Sequence, residues 1–424
     1  MRRLGRWALG LLTGWLALAC TGAVLGFWLP GWTTAAWLAT TLTTEQSLLL
    51  LLPAAGVVGG ALLVRRWGGR RSGALLAAVG LAVAALSPVP AVLGARTAAA
   101  EGVRPDWGAY VDGTALRAER GPDSTEVVAE VAGRVLRADV WRPAGDAPAA
   151  GWPTVVWVHG GSWRAGSRAD TPRWPEWLAD EGYLVVSVDY RLAPPPTWAA
   201  APADVACALG WVAGQAGRLG ADPARLAVKG VSAGAHLALL SAYADEAEEF
   251  DPSCPVERVV PAAVLALYPP TDLAALAGLD GWRYPDLAPT GPGTLRILLG
   301  DSPQGAPERY RLASPLHHVD ADVPPTLLVS GDRDQVVPVD QSRRLAAALA
   351  AAGVRHRLVE LPLANHAYDL AWGGVNAQTT RAVLARFLAT HLGEPPGQVP
   401  VRPPAASAGR GAATPRASPS TGSA

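Results

Sequence analysis

Three long stretches without a charged residue lie within the first hundred residues and limit what this chain can fold into. They cover residues 7–29, 46–64 and 73–94. Each is close to the roughly 20 apolar residues that cross a bilayer as a helix. Pro53 and the Ser-Pro-Val-Pro segment at 87–90 are kinks that a membrane helix tolerates, and the second marks the end of the third helix. The sequence therefore predicts three transmembrane helices.

The charges that flank these stretches indicate their orientation. Arginines precede the first stretch and fill the connection between the second and third, whereas residues 31–46 carry no positive charge. Positive residues mark the cytoplasmic ends of membrane helices. We therefore expect a multi-pass protein of the cell membrane, with the bilayer as a partner and everything after about residue 95 outside the cytoplasm. The arginines are Arg2, Arg3, Arg6, Arg65, Arg66, Arg70 and Arg71.

Two other interpretations of the N-terminus stay open. An arginine-rich start and an apolar run that ends at Cys20 also suit a cleaved lipoprotein signal, although Ala17 stands where such signals usually carry a branched apolar residue. A plain signal peptide is disfavoured because two further apolar stretches follow. In the three-helix interpretation, Cys20 is a small residue packed inside a helix.

Composition divides the remainder of the chain. Lys+Arg and Asp+Glu both number 36, so the formal net charge is zero and we expect no nucleic-acid partner. Residues 394–424 are rich in Pro, Ala, Ser, Gly and Arg and almost free of large apolar residues, which predicts a disordered tail. A linker at 96–120 and a globular domain at 121–393 remain between the membrane segment and this tail.

Short β-type runs alternate with helical stretches in the globular domain. The first two runs join through Gly133 as an antiparallel hairpin, and the alternation that follows predicts the α/β class, with a mostly parallel sheet covered by helices on both faces. In such a sheet, sites form beyond the carboxyl ends of the strands. The predicted strands are 126–132, 135–141, 154–158, 183–188, 225–229, 262–267, 326–330 and 356–361, and the predicted helices are 201–218, one from 233, 339–352 and 376–391.

The pentapeptide Gly230-Val-Ser-Ala-Gly234 lies between a predicted strand and a predicted helix. This is the context of a nucleophile elbow, a sharp turn that strains the serine backbone and leaves no room for side chains at the two glycines. Ser232 would then project above the sheet, with the amide of Ala233 able to donate to a developing oxyanion. The alternative is a serine N-cap between glycines that only form a tight turn.

Two further motifs accompany the elbow. His159-Gly-Gly-Ser-Trp163 follows a predicted strand, so the amides of Gly160 and Gly161 would complete an oxyanion hole with Ala233. Asp189-Tyr-Arg-Leu-Ala-Pro194 ends the next strand. In this order, the three motifs resemble those of the α/β-hydrolase superfamily, and more narrowly the bacterial acetyl esterase/lipase and hormone-sensitive-lipase-like carboxylesterases. The resemblance covers about residues 120–393 and excludes the membrane segment and the tail.

The resemblance implies an acid and a histidine later in the chain, in the order Ser, Asp, His. The acid is Asp334, which matches the family's G-x-x-D-x-x-V-P loop within Gly331–Pro338, with Asp332 as the rival. Among seven histidines, His366 follows the last strand, where the family places its catalytic histidine. His159 is expected to brace the oxyanion loop. The remaining histidines have structural or surface positions as their default: His236, His317, His318, His356 and His391.

The resemblance predicts a serine carboxylesterase that hydrolyses short-chain, acetyl-type esters through an acyl-enzyme. Its substrate would be a small-molecule or polymer-borne ester, with no metal or cofactor, since the histidines show no H-E-x-x-H and the cysteines no paired spacing. Trp163, Trp282 and Tyr284 are candidates for the substrate pocket, and the alternative is that they are ordinary packing aromatics. A peptidase of the same fold and a non-catalytic membrane scaffold are the alternative functions.

Cys207 and Cys254 both lie in the globular domain. An oxidising compartment would permit a disulfide between them, but the sequence alone does not place their Cα atoms within bridging distance.

Overall fold

The computed structural model describes residues 2–31, 33–244, 247–278 and 292–395. Most of the described residues before Glu101 are helical, and three helical stretches among them are long and apolar enough to cross a membrane: Trp7–Leu25, Ser47–Arg66 and Arg70–Ala100. The helices of this part are α1 (Arg2–Leu25), α2 (Thr34–Glu45), α3 (Leu51–Arg66), α4 (Arg70–Leu86) and α5 (Val89–Ala100). Cys20 lies inside this bundle, where Val24, Phe27, Ala54 and Val83 surround it.

An eight-stranded sheet forms the centre of the remaining chain. Its strand order is β1-β2-β4-β3-β5-β6-β7-β8. The first two strands form an antiparallel hairpin, β2 pairs with β4 antiparallel, and all other pairs are parallel. The strands are β1 (Ser124–Val131), β2 (Arg134–Trp141), β3 (Trp152–Val158), β4 (Leu184–Val188), β5 (Ala221–Val231), β6 (Ala263–Leu267), β7 (Thr326–Gly331) and β8 (His356–Leu361).

Helices cover both faces of the sheet. Its helices are α6 (Arg173–Asp180), α7 (Ala200–Gly214), α8 (Ala216–Leu219), α9 (Ala233–Tyr243), α10 (Leu273–Gly278), α11 (Pro292–Leu299), α12 (Pro307–Leu312), α13 (Asp340–Ala351) and α14 (Val375–Leu392). Successive residues of the strands point to opposite faces of the sheet and belong to two separate hydrophobic clusters. One cluster includes side chains of α7, α9 and α13, and the other includes side chains of α6 and α14. The central strands are therefore buried on both sides, as parallel strands require.

The predicted fold class is confirmed, since the sheet is mostly parallel and helices lie on both faces. The interval between the first two apolar stretches, to which the sequence assigned no structure, contains the helix α2. The Thr33 side chain accepts a hydrogen bond from the Ala36 amide and caps α2. Farther along, α4 ends before Pro88 and α5 continues to Ala100, past residue 94.

In the contacts that the structure describes, the helical bundle touches the globular part at one end only. The Leu48 amide donates to the Tyr110 hydroxyl, Gly94 packs against Val375, and the Arg386 guanidinium pairs with Glu101. Leu48 lies in the short turn Ser47–Leu50 before α3, Gly94 lies within α5, and Glu101 directly follows α5. The opposite end, where α3 turns into α4, carries the exposed arginines Arg65, Arg66, Arg70 and Arg71. The arginines and the globular part thus lie at opposite ends of the bundle.

Cys207 and Cys254 form a disulfide with their Cα atoms 5.5 Å apart. The bond ties α7 to the loop that precedes β6 across 47 residues of sequence. In a loop-entropy description, such a crosslink stabilises the folded chain by restricting the unfolded one.

Glu45, at the end of α2, is buried against the globular part, where the Asn376 side-chain amide donates to its carboxyl group at 2.9 Å. Burial raises the pKa of Glu45 to about 8, and the negative charge of Asp369 adds to the shift. The folded protein therefore keeps the Glu45 proton at neutral pH, whereas the unfolded chain releases it.

We predict that the thermal stability of the full chain falls as pH rises from about 5 to about 8, because the folded state binds more protons than the unfolded state between the two pKa values of Glu45. The variant Glu45→Gln keeps the acceptor oxygen but does not titrate. Melting temperatures of detergent-solubilised protein measured from pH 5 to 9 should decline more steeply for the wild type than for this variant. Parallel profiles would contradict a raised Glu45 pKa.

Candidate active site

Ser232 occupies the turn between β5 and α9. Its backbone angles are φ 54° and ψ −122°, a strained combination for any residue other than glycine, and its amide donates to the Leu267 carbonyl at 2.9 Å. A methyl group on Gly230 would collide with the backbone of Gly234, and one on Gly234 would collide with the Val158 carbonyl. The small residues around Ser232 are therefore required for steric reasons, as the motif predicts.

His366 lies directly behind this serine, in the loop that follows β8. Its Nε2 is 2.9 Å from the Ser232 Oγ, and its Nδ1 is 2.8 Å from the Asp334 Oδ2. A carboxylate only accepts hydrogen bonds, so the proton of a neutral His366 resides on Nδ1. Nε2 is then free to accept the hydroxyl proton of Ser232, which is the arrangement of a nucleophile and its general base.

The loop after β7 holds Asp334 in place. Its side chain is fully buried, and Oδ1 accepts hydrogen bonds from the amides of Val336 and Val337 at 2.9 and 2.8 Å. Asp332 is exposed, and its Oδ1 accepts a hydrogen bond from the Leu363 amide at 2.7 Å. The structure thus brings Asp334 to His366, while Asp332 fastens the turn beyond β8.

The loop that contains Gly160 and Gly161 lies over the serine. A Cβ on Gly160 would lie against the Val231 carbonyl and the Ser232 Cβ, which places this backbone beside the nucleophile candidate. Among the residues that the structure describes, no acceptor takes the amide protons of Gly160 or Gly161. Ala233 is the first residue of α9, so its amide has no partner within the helix. Three amides are thus available near Ser232.

Residues behind this loop fix its conformation. The His159 Nδ1–H donates to the Gly160 carbonyl at 2.7 Å, and its ring stacks on Tyr190 at a centroid distance of 4.3 Å. Burial lowers the pKa of His159, so the ring stays neutral and keeps this tautomer. The Tyr190 hydroxyl donates to the His159 carbonyl at 3.0 Å, and the neighbouring Arg191 makes a bidentate ion pair with buried Asp204. The Asp-Tyr-Arg motif therefore supports the glycine loop.

The other histidines make structural contacts. The His236 Nε2–H donates to the Ala313 carbonyl at 2.7 Å, and burial lowers its pKa to about 4. The ring nitrogens of His318 and His356 contact the carbonyls of Leu312 and Val354. His317 lies in the short turn Pro315–His318, and His391 packs on Phe387 near the end of α14. Within the described residues, no cluster of three or more His, Cys, Asp or Glu side chains could hold a metal ion.

The three aromatic candidates for a substrate pocket have different outcomes. Trp163 is 1% exposed, and its indole N–H donates to the His236 Nδ1 at 3.1 Å. It packs the glycine loop against α9, and its role in a substrate pocket stays a prediction. Trp282 and Tyr284 lie outside the described residues.

Three residues at the site, Asn365, Tyr268 and Asp369, were not identified from the sequence. The Asn365 Oδ1 accepts hydrogen bonds from the amides of His366 and Gln335, and so couples the loops that carry the histidine and the acid. The Tyr268 ring lies edge-on to His366 at 4.5 Å, and its hydroxyl donates to buried Asp369 at 2.7 Å. Burial and this carboxylate raise the pKa of Tyr268, which keeps the hydroxyl protonated. The position of Tyr268 directly after a buried strand was the one available signal.

Residues 138–349, half of the chain, match the family model described as BD-FAE. The chain belongs to the BD-FAE family of α/β hydrolases. The matched region includes Ser232 and Asp334 and ends before His366. Among curated proteins, this family member is 32% identical over 254 residues to the Mycobacterium tuberculosis esterase LipC and 30% identical over 263 residues to esterase LipQ of the same organism. These alignments cover 59% and 62% of this chain and 61% of each relative.

Thermogutta terrifontis esterase 2 is a solved structure with a similar fold. Its apo form has 29% sequence identity and a TM-score of 0.52 over 65% of this BD-FAE chain and 96% of the esterase. A propionate-bound structure of the same thermophilic esterase has 26% identity and a TM-score of 0.51. The aligned share of this chain matches the size of the globular part without the helical bundle.

We predict that Asp334→Asn slows covalent labelling of Ser232 by a fluorophosphonate roughly 10³- to 10⁴-fold, because the amide no longer holds the required tautomer of His366. Asp332→Asn is the matched control and should label at a rate within about twofold of the wild type, since Asp332 does not reach the histidine. Labelling rates can be followed by in-gel fluorescence. The opposite ranking of the two variants would identify Asp332 as the acid.

Proposed function

We propose that this protein is a serine carboxylesterase that hydrolyses short-chain acyl esters, with Ser232 as the nucleophile, His366 as the general base and Asp334 as the residue that orients it. The observation that carries the proposal is the continuous hydrogen-bonded chain from the Ser232 Oγ through the imidazole to the buried Asp334 carboxylate. The names of the relatives, which are esterases, support the same reaction class.

In the proposed mechanism, the Ser232 Oγ attacks the ester carbonyl while His366 Nε2 takes the hydroxyl proton. The amides of Gly160, Gly161 and Ala233 stabilise the oxyanion, and the neighbouring Asp334 carboxylate stabilises the imidazolium. His366 then gives the proton to the leaving alcohol as the acyl–enzyme forms. Water, deprotonated by the same histidine, releases the acid and restores the serine.

Short acyl groups are the proposed substrates because the relative from T. terrifontis has been solved with propionate bound.

We further propose that the chain is a multi-pass membrane protein with the catalytic domain outside the cytoplasm. The exposed arginines lie at the end of the bundle that is remote from this domain, which fits the positive-inside rule. The disulfide between Cys207 and Cys254 suits an oxidising compartment.

We expect Ser232→Ala to reduce hydrolysis of p-nitrophenyl acetate by about 10³-fold or more, because no other group supplies the attacking oxygen. Ser241→Ala is the matched control, since Ser241 lies on the same helix and its hydroxyl donates to the Ala238 carbonyl. Circular dichroism should report an unchanged fold for both variants. Full activity in the Ser232 variant would refute the proposed nucleophile.

Sidedness can be measured with epitope tags at the two ends of the chain. In intact spheroplasts, external protease should remove a tag placed after residue 424 and spare a tag placed before the first arginines, because the ends lie on opposite sides of the membrane if three helices span it. Lysed spheroplasts, in which both tags should be digested, are the control. Protection of the C-terminal tag would place the catalytic domain in the cytoplasm.

A further inference from the structure

The end of the first candidate span contacts the loop that carries Asp334. The Arg333 guanidinium donates to the Trp28 carbonyl, and the Gly31 amide donates to the Gln335 side chain at 3.2 Å. Arg333 and Gln335 are the two neighbours of Asp334 in sequence. The segment that leaves α1 is therefore fastened to both sides of the catalytic acid.

A second set of contacts reaches the loop that carries the histidine. Helix α2 packs against the short turn Tyr368–Leu370, which begins two residues after His366. Glu45 at the end of this helix binds Asn376 at the start of α14. The connection between the first two candidate spans thus supports both catalytic loops at the carboxyl edge of the sheet.

The length of the first candidate span fixes where these contacts lie relative to a bilayer. Its 19 residues, Trp7–Leu25, correspond to about 28 Å at 1.5 Å per residue. The hydrocarbon core of a bilayer is about 30 Å thick. A span of this length ends at the boundary of the core, so residues 26–31 and α2 lie at the level of the lipid headgroups.

Apolar side chains are exposed on this same connection and beside it. Leu38 and Leu42 are four residues apart on α2 and therefore share one face of the helix, and both are exposed. Trp107 is half exposed beside Tyr110, whose hydroxyl accepts a hydrogen bond from Leu48 in the turn before α3. Tryptophan and leucine side chains at this level suit the membrane interface. The exposed members of this set are Trp28, Leu29, Leu38, Leu42, Trp107 and Val111.

We propose that the active site opens at the outer membrane surface and that its substrate is an amphiphile held in the outer leaflet by its hydrocarbon chain, with the short acyl ester at headgroup level. This inference rests on the esterase function proposed above. A site built for dissolved esters would need no anchorage of its acid and histidine loops to the end of a membrane span. Here the same connection holds both loops and exposes apolar residues to the bilayer.

The test compares two acetate esters of one fluorogenic alcohol. The full chain is reconstituted in phosphatidylcholine nanodiscs and assayed with 4-methylumbelliferyl acetate, which is dissolved, and with a hexadecyl-substituted umbelliferyl acetate, which resides in the disc. We expect kcat/KM, expressed per total substrate, to be at least about tenfold higher for the disc-held ester. Equal or lower values for this ester would overturn the proposal.

Matched variants test whether the bilayer-facing surface is responsible. Leu38→Asp/Leu42→Asp should lower the ratio of the disc-held to the dissolved rate about fivefold or more, because charged side chains disfavour contact with the interface. Val260→Asp places one negative charge on an exposed apolar residue before β6, at the amino-terminal ends of the parallel strands, and should leave the ratio unchanged. An unchanged ratio in the double variant would overturn the proposal. If the wild-type protein hydrolyses neither ester, the proposed esterase function itself is rejected.

Discussion

The close contact between β5, α9 and β3 is the constraint on which the site depends. At Gly230 and Gly234 the backbones approach so closely that neither position can carry a side chain. This contact forces Ser232 into a positive φ of 54° and turns its Oγ away from the sheet toward the imidazole. It also places the first amide of α9 beside the Gly160 loop, where charge would develop on a bound ester. One steric requirement thus positions both the proposed nucleophile and part of the proposed oxyanion hole.

The partners of the serine come from strands that lie successively farther along the sheet. β7 and β8 are neighbours in parallel register, so the loops that follow them lie side by side. Asn365 binds the backbone of both loops, and the amides of the acid loop saturate one oxygen of Asp334. The acid therefore has one free oxygen directed at His366. Hydrogen bonds within and between these two loops therefore hold the distances within the site.

Much of this arrangement could be predicted from the sequence because its signals are local. The two glycines of the elbow and the glycine pair after β3 each occupy a few adjacent residues, and the order of Ser, Asp and His was implied by the family resemblance that these motifs carry. The family's G-x-x-D-x-x-V-P loop favoured Asp334 and left Asp332 as the rival, and in the structure the course of the loop brings the Asp334 carboxylate to the histidine. Helix α2 was missed because its capping threonine and apolar residues also suit a loop between membrane helices.

Contacts between segments that are far apart along the chain could not be predicted from the sequence. Lys229, the only lysine of the chain, attracted no functional interpretation, yet it is fully buried with its Nζ 3.5 Å from the ring centre of Trp157 and 4.2 Å from that of Trp174. Burial lowers its pKa well below the usual value, and nearby Asp369 opposes the shift. The same Asp369 accepts hydrogen bonds from Trp174 and Tyr268. No spacing along the chain indicates such a cluster, because its residues come into contact only in the folded state.

An acyl–enzyme trapped on Ser232 would test the central claim most directly. Protein mixed with a short-chain ester and quenched in acid within milliseconds can be reduced and digested with trypsin, which releases residues 230–258 as one peptide that contains Ser232. We expect mass spectrometry to find the acyl group on this serine during turnover and to find it absent in His366→Ala. Turnover with no acylated serine, or with the acyl group on another residue, would contradict the assignment of Ser232 as the nucleophile.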